Sequence, residues 1–307
     1  MTFLLQLIVG ILLDWTLGEP SRFHPLMGFG TLADRIDRTF PEESLWRNKV
    51  SGLIVVVTLV GLITLLVWWL ISWPVTGMIT GIIFFYFTLG GRSLFEHARD
   101  VQNALNAEDL KAARVAVGRM VSRDTSAMDR TEVSLATIES VLENGNDAVF
   151  GTIFWFVLLG APGAVCYRLI NTLDAMWGYR TAQYSEFGWA AARLDDLLNW
   201  IPARLCALTY SLVGETKTAL ICWKKQAAAW ESPNAGPVIA AGAGALQIQL
   251  GGPGVYHGLI KARPVLGTGR VPVPEDIQRA LWLVQYGVML WLLVIALIVV
   301  GRQLSLA

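Results

Sequence analysis

Three carboxylates, Glu139, Glu143 and Asp147, recur at four-residue steps in ESVLENGND, just before twenty uncharged residues from Ala148 to Tyr167. On an α-helix this spacing sets all three in one stripe. Like charges four apart cost roughly 0.2–0.5 kcal/mol per pair, so the stripe does not serve local helix stability. Acids at the edge of a membrane-length apolar run call for a partner. The spacing therefore describes one wall of a site for a cation or a cationic or metal-bound ligand. The plainer alternative is a solvated helix face that ends at a membrane. Other short polar clusters interrupt apolar sequence: Asp14; His24–Pro25; Arg92–Ser93; Arg123–Ser126; Asn171 and Asp174; Arg193, Asp195 and Asp196; Ser232–Asn234. Singly, each reads as a cap or a surface ion pair. Together they read as the walls of one polar cavity. Carboxylates of this kind suit Mg²⁺, which takes one or two protein carboxylates plus phosphate oxygens. Arg92, Arg123 and Arg193 suit bidentate phosphate or carboxylate binding. Asp195 and Asp196 are adjacent and cannot share a helix face. His24 and His257 are lone histidines, read as structural.

The elements that must position these residues are membrane helices. Hydrophobic residues make up 54% of the 307 and charged residues only 16%, with a mean hydropathy of +0.50. An ordinary soluble domain carries about 25% charge. The formal net charge is zero, which leaves no bulk electrostatic case for nucleic acid. Cys166, Cys206 and Cys222 are isolated in or near apolar sequence, so neither a zinc site nor a disulfide framework is expected. Familiar nucleotide, metalloprotease and hydrolase motifs are absent.

The expected fold is an all-α integral membrane protein of one membrane-embedded domain. About four to five transmembrane or re-entrant helices would carry large polar helical loops around a membrane-surface cavity. The expected spans are 2–17, 51–72, 76–91, 148–167 and 280–301, with polar loops at 18–50, 92–147, 168–198 and 214–279. Asp14 closes the first span, and the turn residues Gly18 to Pro25 follow it. Residues 51–91 form a helical hairpin that turns at Pro74 beside Trp68, Trp69 and Trp73. Thr125 or Ser126 would cap the helix bearing Glu139. GAPG at residues 160–163 breaks the next apolar run, which either crosses or re-enters as two half-helices. Lys217–Trp230 is amphipathic, and Pro237–Gly254 suits a close-packed helix with a loop at QLGGPG. The Lys/Arg distribution favours polar loops on the cytoplasmic side of a cell inner membrane.

The clusters, in order, resemble one family. DxxLGEPxxxHP, GRSL, SRDTS, ESVxEN with a following Asp, NTLDAMxGY, ARLDDLxNxxPARL, SPNAG and QLGGPxxY follow the pattern of the CobD/CbiB family over nearly the whole chain, Leu13 to about Pro264. That family is the membrane-bound adenosylcobinamide-phosphate synthase of cobalamin biosynthesis. The resemblance implies ATP-dependent joining of a propionate carboxyl of adenosylcobyric acid to (R)-1-amino-2-propanol or its O-phosphate, with Mg²⁺. It also suggests other late cobalamin-biosynthesis membrane enzymes as partners, besides the lipid bilayer. Two features depart from the pattern. ENTVDG, common in the family, is replaced by ENGNDA, which keeps both acids and Asn144. Phe154–Leu169 is also similar to the AmpE regulatory membrane proteins, which lack the NTLDAM, RLDD and SPN clusters.

On this resemblance the chemistry distributes as follows. Glu143, Asp147, Asp174 and Asp195 are the expected Mg²⁺ ligands. Arg92 and Arg123 would meet transferred phosphoryl charge, and Asp124 or Asp196 would take the amine proton. Arg123, Asp124, Asp174 and Asp196 make up the expected catalytic set. Arg92, Ser93, Asn171, Arg193, Ser232 and Asn234 make up the substrate-binding set. Trp177, Tyr179 and Trp189 would wall a corrinoid. The rival functions are an AmpE-like regulatory protein without catalysis and a corrinoid-binding scaffold or transporter.

Overall fold

Long apolar helices that expose most of their surface dominate the computed structural model, which describes residues 2–20, 24–40, 47–178, 184–256 and 259–305. In chain order the helices are α1 (Thr2–Leu17), α2 (Pro25–Arg38), α3 (Lys49–Ile71), α4 (Gly77–Thr88), α5 (Gly91–Asn106), α6 (Leu110–Val117) and α7 (Arg130–Asn144). A π-helical turn, Gly145–Phe150, leads into α8 (Gly151–Trp177), followed by α9 (Trp189–Val213), α10 (Thr216–Gln226), α11 (Ala235–Leu246) and α12 (Glu275–Leu304). Among the described residues, four helical stretches are long and apolar enough to cross a membrane: Lys49–Ile71, Gly77–Asn106, Arg130–Trp177 and Glu275–Leu304. The chain divides into two compact units. One comprises residues up to Gly90 with Asp147–Asn199, and the other comprises Gly91–Asn146 with residues from Trp200 onward.

In the first unit, α3 buries one ridge, Gly52, Val56, Val60 and Val67, and exposes Ile54, Val57, Leu62, Leu65 and Trp68. A helix apolar all round with one packed ridge is built for lipid. The ridge lies against α8, and α4 packs on both α1 and α8. Tyr86 Oη donates to the Gly18 carbonyl (2.6 Å), fastening the end of α4 to the end of α1. Trp68, Trp69, Trp73 and Val75 are exposed at the α3–α4 turn, where interfacial aromatics were expected. Asp14 lies buried within α1, which runs on to Leu17 instead of closing there. Pro25 opens α2 as its first residue, with His24 as cap, so the turn region is shorter than its prolines implied.

Gly160 is the break in the third apolar stretch. It sits at φ 67°, ψ −160° inside α8, a conformation essentially restricted to glycine. The chain turns back there. Sixteen residues of straight helix would separate Gly151 from Tyr167 by about 24 Å, yet a Cβ on Gly151 would overlap the Tyr167 phenol. Arg168 Nη1 likewise comes within 3.5 Å of the Asp147 carbonyl oxygen. Of the two alternatives for 148–167, the backbone takes the form of two half-helices that double back at Gly160. We expect Gly160→Ala to cost about 1–3 kcal/mol, read as a lower melting temperature in detergent. Gly61→Ala, in open space on α3, should be neutral or slightly stabilising.

In the second unit, α7 packs against α5, α6, α11 and α12. Its start is a capping box: Asp129 Oδ1 accepts from Glu132 N–H (2.8 Å), and Glu132 Oε2 accepts from Asp129 N–H (2.8 Å). This displaces Thr125 and Ser126 as the expected cap, because the reciprocal pair satisfies two orphan donors at once. Every residue of α11 is buried, as its alanines and glycines anticipated. The QLGGPG region, expected as a loop, is an antiparallel ladder instead. β1 (Gln249–Gly251) pairs with β4 (Val265–Gly267), and β2 (Gly254–Tyr256) pairs with β3 (Leu259–Lys261). Trp291, midway along the apolar part of α12, donates its indole N–H to Thr209 Oγ1 of α9 (2.8 Å). From that level α9 exposes Leu205, Leu208 and Leu212. Hydropathy alone passes over this helix because Pro202, Arg204, Thr209 and Ser211 dilute it.

Candidate active site

The densest polar network of the first unit joins the second half of α8 to the start of α9. Tyr167, Arg168, Asn171 and Asp174 lie at one- and two-turn steps of α8, and Asp195 and Asn199 lie one turn apart on α9. Asn171 Nδ2 donates to Asp195 Oδ1 (3.1 Å), and Asn199 Nδ2 donates to both Asp195 oxygens (3.2 and 3.1 Å). Tyr167 Oη donates to Asn199 Oδ1 (2.8 Å), and Arg168 Nη1 donates to Asn171 Oδ1 (2.8 Å). These partners fix both amide orientations, since a guanidinium only donates and a carboxylate only accepts.

Asp195 is the titratable centre. Burial pushes its carboxyl up to about 6; the Asn171 and Asn199 amides pull it down, Asp196 raises it and Arg168 lowers it. Desolvation disfavours the charged form more than the two amides restore it. Arg168 also reaches the turn before α5 and the segment after α1. A Cβ on Gly90 would stand 3.3 Å from Glu19 Oε1 and 3.7 Å from Arg168 Nη2. Nearby, His24 Nδ1 accepts the Leu26 N–H (3.3 Å), which requires an unprotonated Nδ1. Burial holds the His24 pKa down; Glu19 opposes this and Arg168 adds to it. The structural role expected for His24 is thus a helix cap with a charged neighbourhood.

Of the residues singled out in the sequence, Asn171 and Asp195 meet directly and Asp147 contributes its carbonyl. Asp174 is half-buried beside Gly178, whose N–H donates to the Asp174 carbonyl (2.7 Å). Asp196 points away from its neighbour, as expected, and pairs with the exposed Arg193 (3.3 Å). Trp177 is a correction: it is fully buried against Phe187, so it is core and not a wall for a corrinoid. Trp189 is exposed, and Tyr179, like His257, lies outside the described residues.

In the second unit, Glu139 is a buried hub. It accepts from Arg123 Nη2 (2.9 Å), from Arg263 Nη1 and Nη2 (3.1 and 3.2 Å) and from the Gly251 N–H (2.7 Å). Arg123, expected at a phosphoryl group, is already held there. Asp124 Oδ1 accepts the Ser126 N–H (2.9 Å), which keeps its carboxyl below the usual range. A depressed pKa is a poor property for the proton acceptor Asp124 was expected to be. Arg92 pairs with Glu96 one turn along α5, where both side chains are partly exposed, and Ser93 beside it is half-buried, as is Glu143 on α7. Ser232 Oγ accepts from the Asn234 and Ala235 N–H groups (3.3 and 3.1 Å), capping the start of α11. Asn234 Oδ1 accepts from Arg204 (3.0 Å), whose guanidinium stacks on Trp200 (4.4 Å). These two therefore act in positioning α11. Among the described residues no three His, Cys, Asp or Glu side chains group as a metal site.

Sequence reasoning passed over Arg168, Asn199 and Tyr167. The available signal was Arg168 itself, a charge at the end of twenty apolar residues and one helical turn before Asn171.

Membrane-length helices, with an acid–amide–guanidinium network in the first unit, mark a helical membrane protein with a polar site. More particularly, the chain belongs to the CobD/Cbib protein family, whose sequence profile matches residues 7–284. It is 54% identical to the cobalamin biosynthesis protein CobD of Stutzerimonas stutzeri, over 96% of this chain and 97% of that one. It is 52% identical to the protein so named in Chromobacterium violaceum, over 94% of each chain. The Mycobacterium tuberculosis protein of that name is 39% identical, over 89% of this chain and 88% of that one. No solved structure matches.

Proposed function

We propose that this protein acts in cobalamin biosynthesis as an ATP-dependent amide synthase, joining a propionate carboxyl of adenosylcobyric acid to aminopropanol or its O-phosphate at a cell inner membrane. The observation that carries the reading is Asp195, a carboxylate with a pKa of about 6 within a network of hydrogen-bonded amides. An alkyl amine is protonated at neutral pH and must shed a proton to attack. A base whose pKa lies near the working pH is well matched to that task.

The bookkeeping is simple. A propionate oxygen displaces ADP from the γ-phosphorus of ATP, giving an acyl phosphate. Asp195 takes the proton of the ammonium, the freed amine nitrogen attacks the acyl carbon, the C–O bond to phosphate breaks, and the second nitrogen proton leaves with the phosphate. Arg168 offers a guanidinium to the negative charge that develops on the acyl or phosphoryl oxygens. Mg²⁺ would neutralise the ATP phosphates, and one or two carboxylates suffice to hold it, for which Asp147 and Asp174 are the choice here. The half-helix hairpin at Gly160 favours a re-entrant insertion that keeps this site at one membrane face.

Purified protein in detergent, given adenosylcobyric acid, ATP, Mg²⁺ and either amine, should form the amide mass with one acceptor preferred. Corrinoid binding without product under all these conditions would sink the synthase reading in favour of a scaffold.

A further inference from the structure

A separate cavity of about 610 Å³ opens in the second unit, between the start of α10, the end of α11, the turn after β4 and the first turns of α12. Its two charged lining residues are Arg270 and Arg279, accompanied by Thr218, Thr268, Gln247 and Gly269. Behind them lies Asp276, with no exposed surface. Arg270 grips it with both terminal nitrogens (2.6 and 2.8 Å), Arg279 Nη1 adds a third bond (2.7 Å) and the Val273 N–H a fourth (2.9 Å). Arg279 Nη2 is further tied to the Leu246 carbonyl (2.9 Å). The two side chains are nevertheless 51% and 40% exposed, and both line the cavity.

This is how a protein pre-organises two positive forks for an anion. The buried carboxylate orients them and cancels one charge of two; the Glu275 carboxylate in the first turn of α12 also acts on Arg270, while the lining itself carries only the two positive side chains. Glu215, three residues before Thr218, is spent on the Thr218 N–H (2.6 Å), where it caps α10. The threonine hydroxyls supply further donors at the rim. The position is also informative: Arg279 immediately precedes the apolar run of α12, which begins at Ala280. That is the depth of lipid headgroups.

We propose that this cavity binds a phosphate group, presented either by a soluble phosphate compound or by an anionic lipid headgroup. The proposal is independent of the amide-synthase reading. Two probes separate the sources: melting temperature in neutral detergent against inorganic phosphate, and native mass spectrometry of protein released from phosphatidylglycerol or phosphatidylcholine nanodiscs. A soluble ligand predicts saturable stabilisation by phosphate, weakened at least tenfold in Arg270→Gln. A headgroup predicts retained phosphatidylglycerol over phosphatidylcholine, lost in the same variant. Arg270→Gln loosens Asp276 and risks the fold, so Thr218→Val/Thr268→Val serves as a second variant. It leaves the ion pairs intact and should weaken whichever binding is seen by a few-fold. No phosphate stabilisation and no lipid preference in the folded wild-type protein would overturn the proposal, as would binding that both variants leave unchanged.

Discussion

Asp195→Asn is expected to lower amide formation by at least about a hundredfold, the scale of a lost general base, while the protein stays folded. In the wild-type protein the rate should rise with pH through about 6 and then level off, because the base works only when deprotonated. The stability effect has the opposite sign. Burial raises the folded pKa above that of the unfolded chain, so the fold holds the proton more tightly. Wild-type stability therefore declines as pH rises from about 4 to about 6, and the full penalty persists above that. Asparagine carries no charge to desolvate. Discounted for the partial exposure of the site, Asp195→Asn should be about 1 kcal/mol more stable than wild type at pH 8 and equal to it near pH 4. Rate and melting temperature across pH test both statements. A variant that keeps its rate within tenfold ends the base assignment, whatever its melting behaviour.

Glu139→Gln should produce the largest loss of stability. Its carboxylate lies between Arg123 and Arg263, and all three side chains are at most about one-tenth exposed. Neutralising the hub removes the carboxylate that both buried guanidinium groups share, a loss of about 3–5 kcal/mol. The Gly251 N–H would also lose its charged acceptor. For a chain of this size that corresponds to a melting temperature lower by roughly 6–15 °C. Glu139→Gln/Arg263→Gln should recover part of the loss, since it removes one of the stranded charges. A single variant that melts like wild type would show that solvent reaches this cluster. Either way, the first carboxylate of the stripe reads as a clasp between α7 and the β1 region rather than as a ligand for a free cation.

What the sequence made legible follows from length scale. The spans α3 and α12 were readable because each is one uninterrupted apolar run. The burial of α11 was readable from its small residues. Asn171 and Asp195 were found because motif spacing kept them within a turn of other polar groups. The π turn at Gly145–Phe150 was not legible, because no side-chain spacing encodes that backbone detail. Tyr167 was missed because its partner Asn199 lies 32 residues on, and the approach of Arg168 to the Asp147 carbonyl because it exists only after α8 doubles back. The ladder at β1–β4 was missed because its strands are three residues each, too short for an alternating pattern.

The reversal at Gly160 also bears on how the chain enters its membrane. A nine-residue half-helix, Gly151 to Leu159, reaches only about 14 Å, less than half the hydrocarbon thickness. Released into lipid alone, its last carbonyls and the Gly160 backbone would have no partners. The hairpin must therefore settle against helices already in place, and α3 and α4, made earlier by the ribosome, are the ones it packs on. Insertion of this protein is then ordered in time: the full-length helices integrate first, and the segment that carries Arg168 and Asn171 folds onto them afterwards.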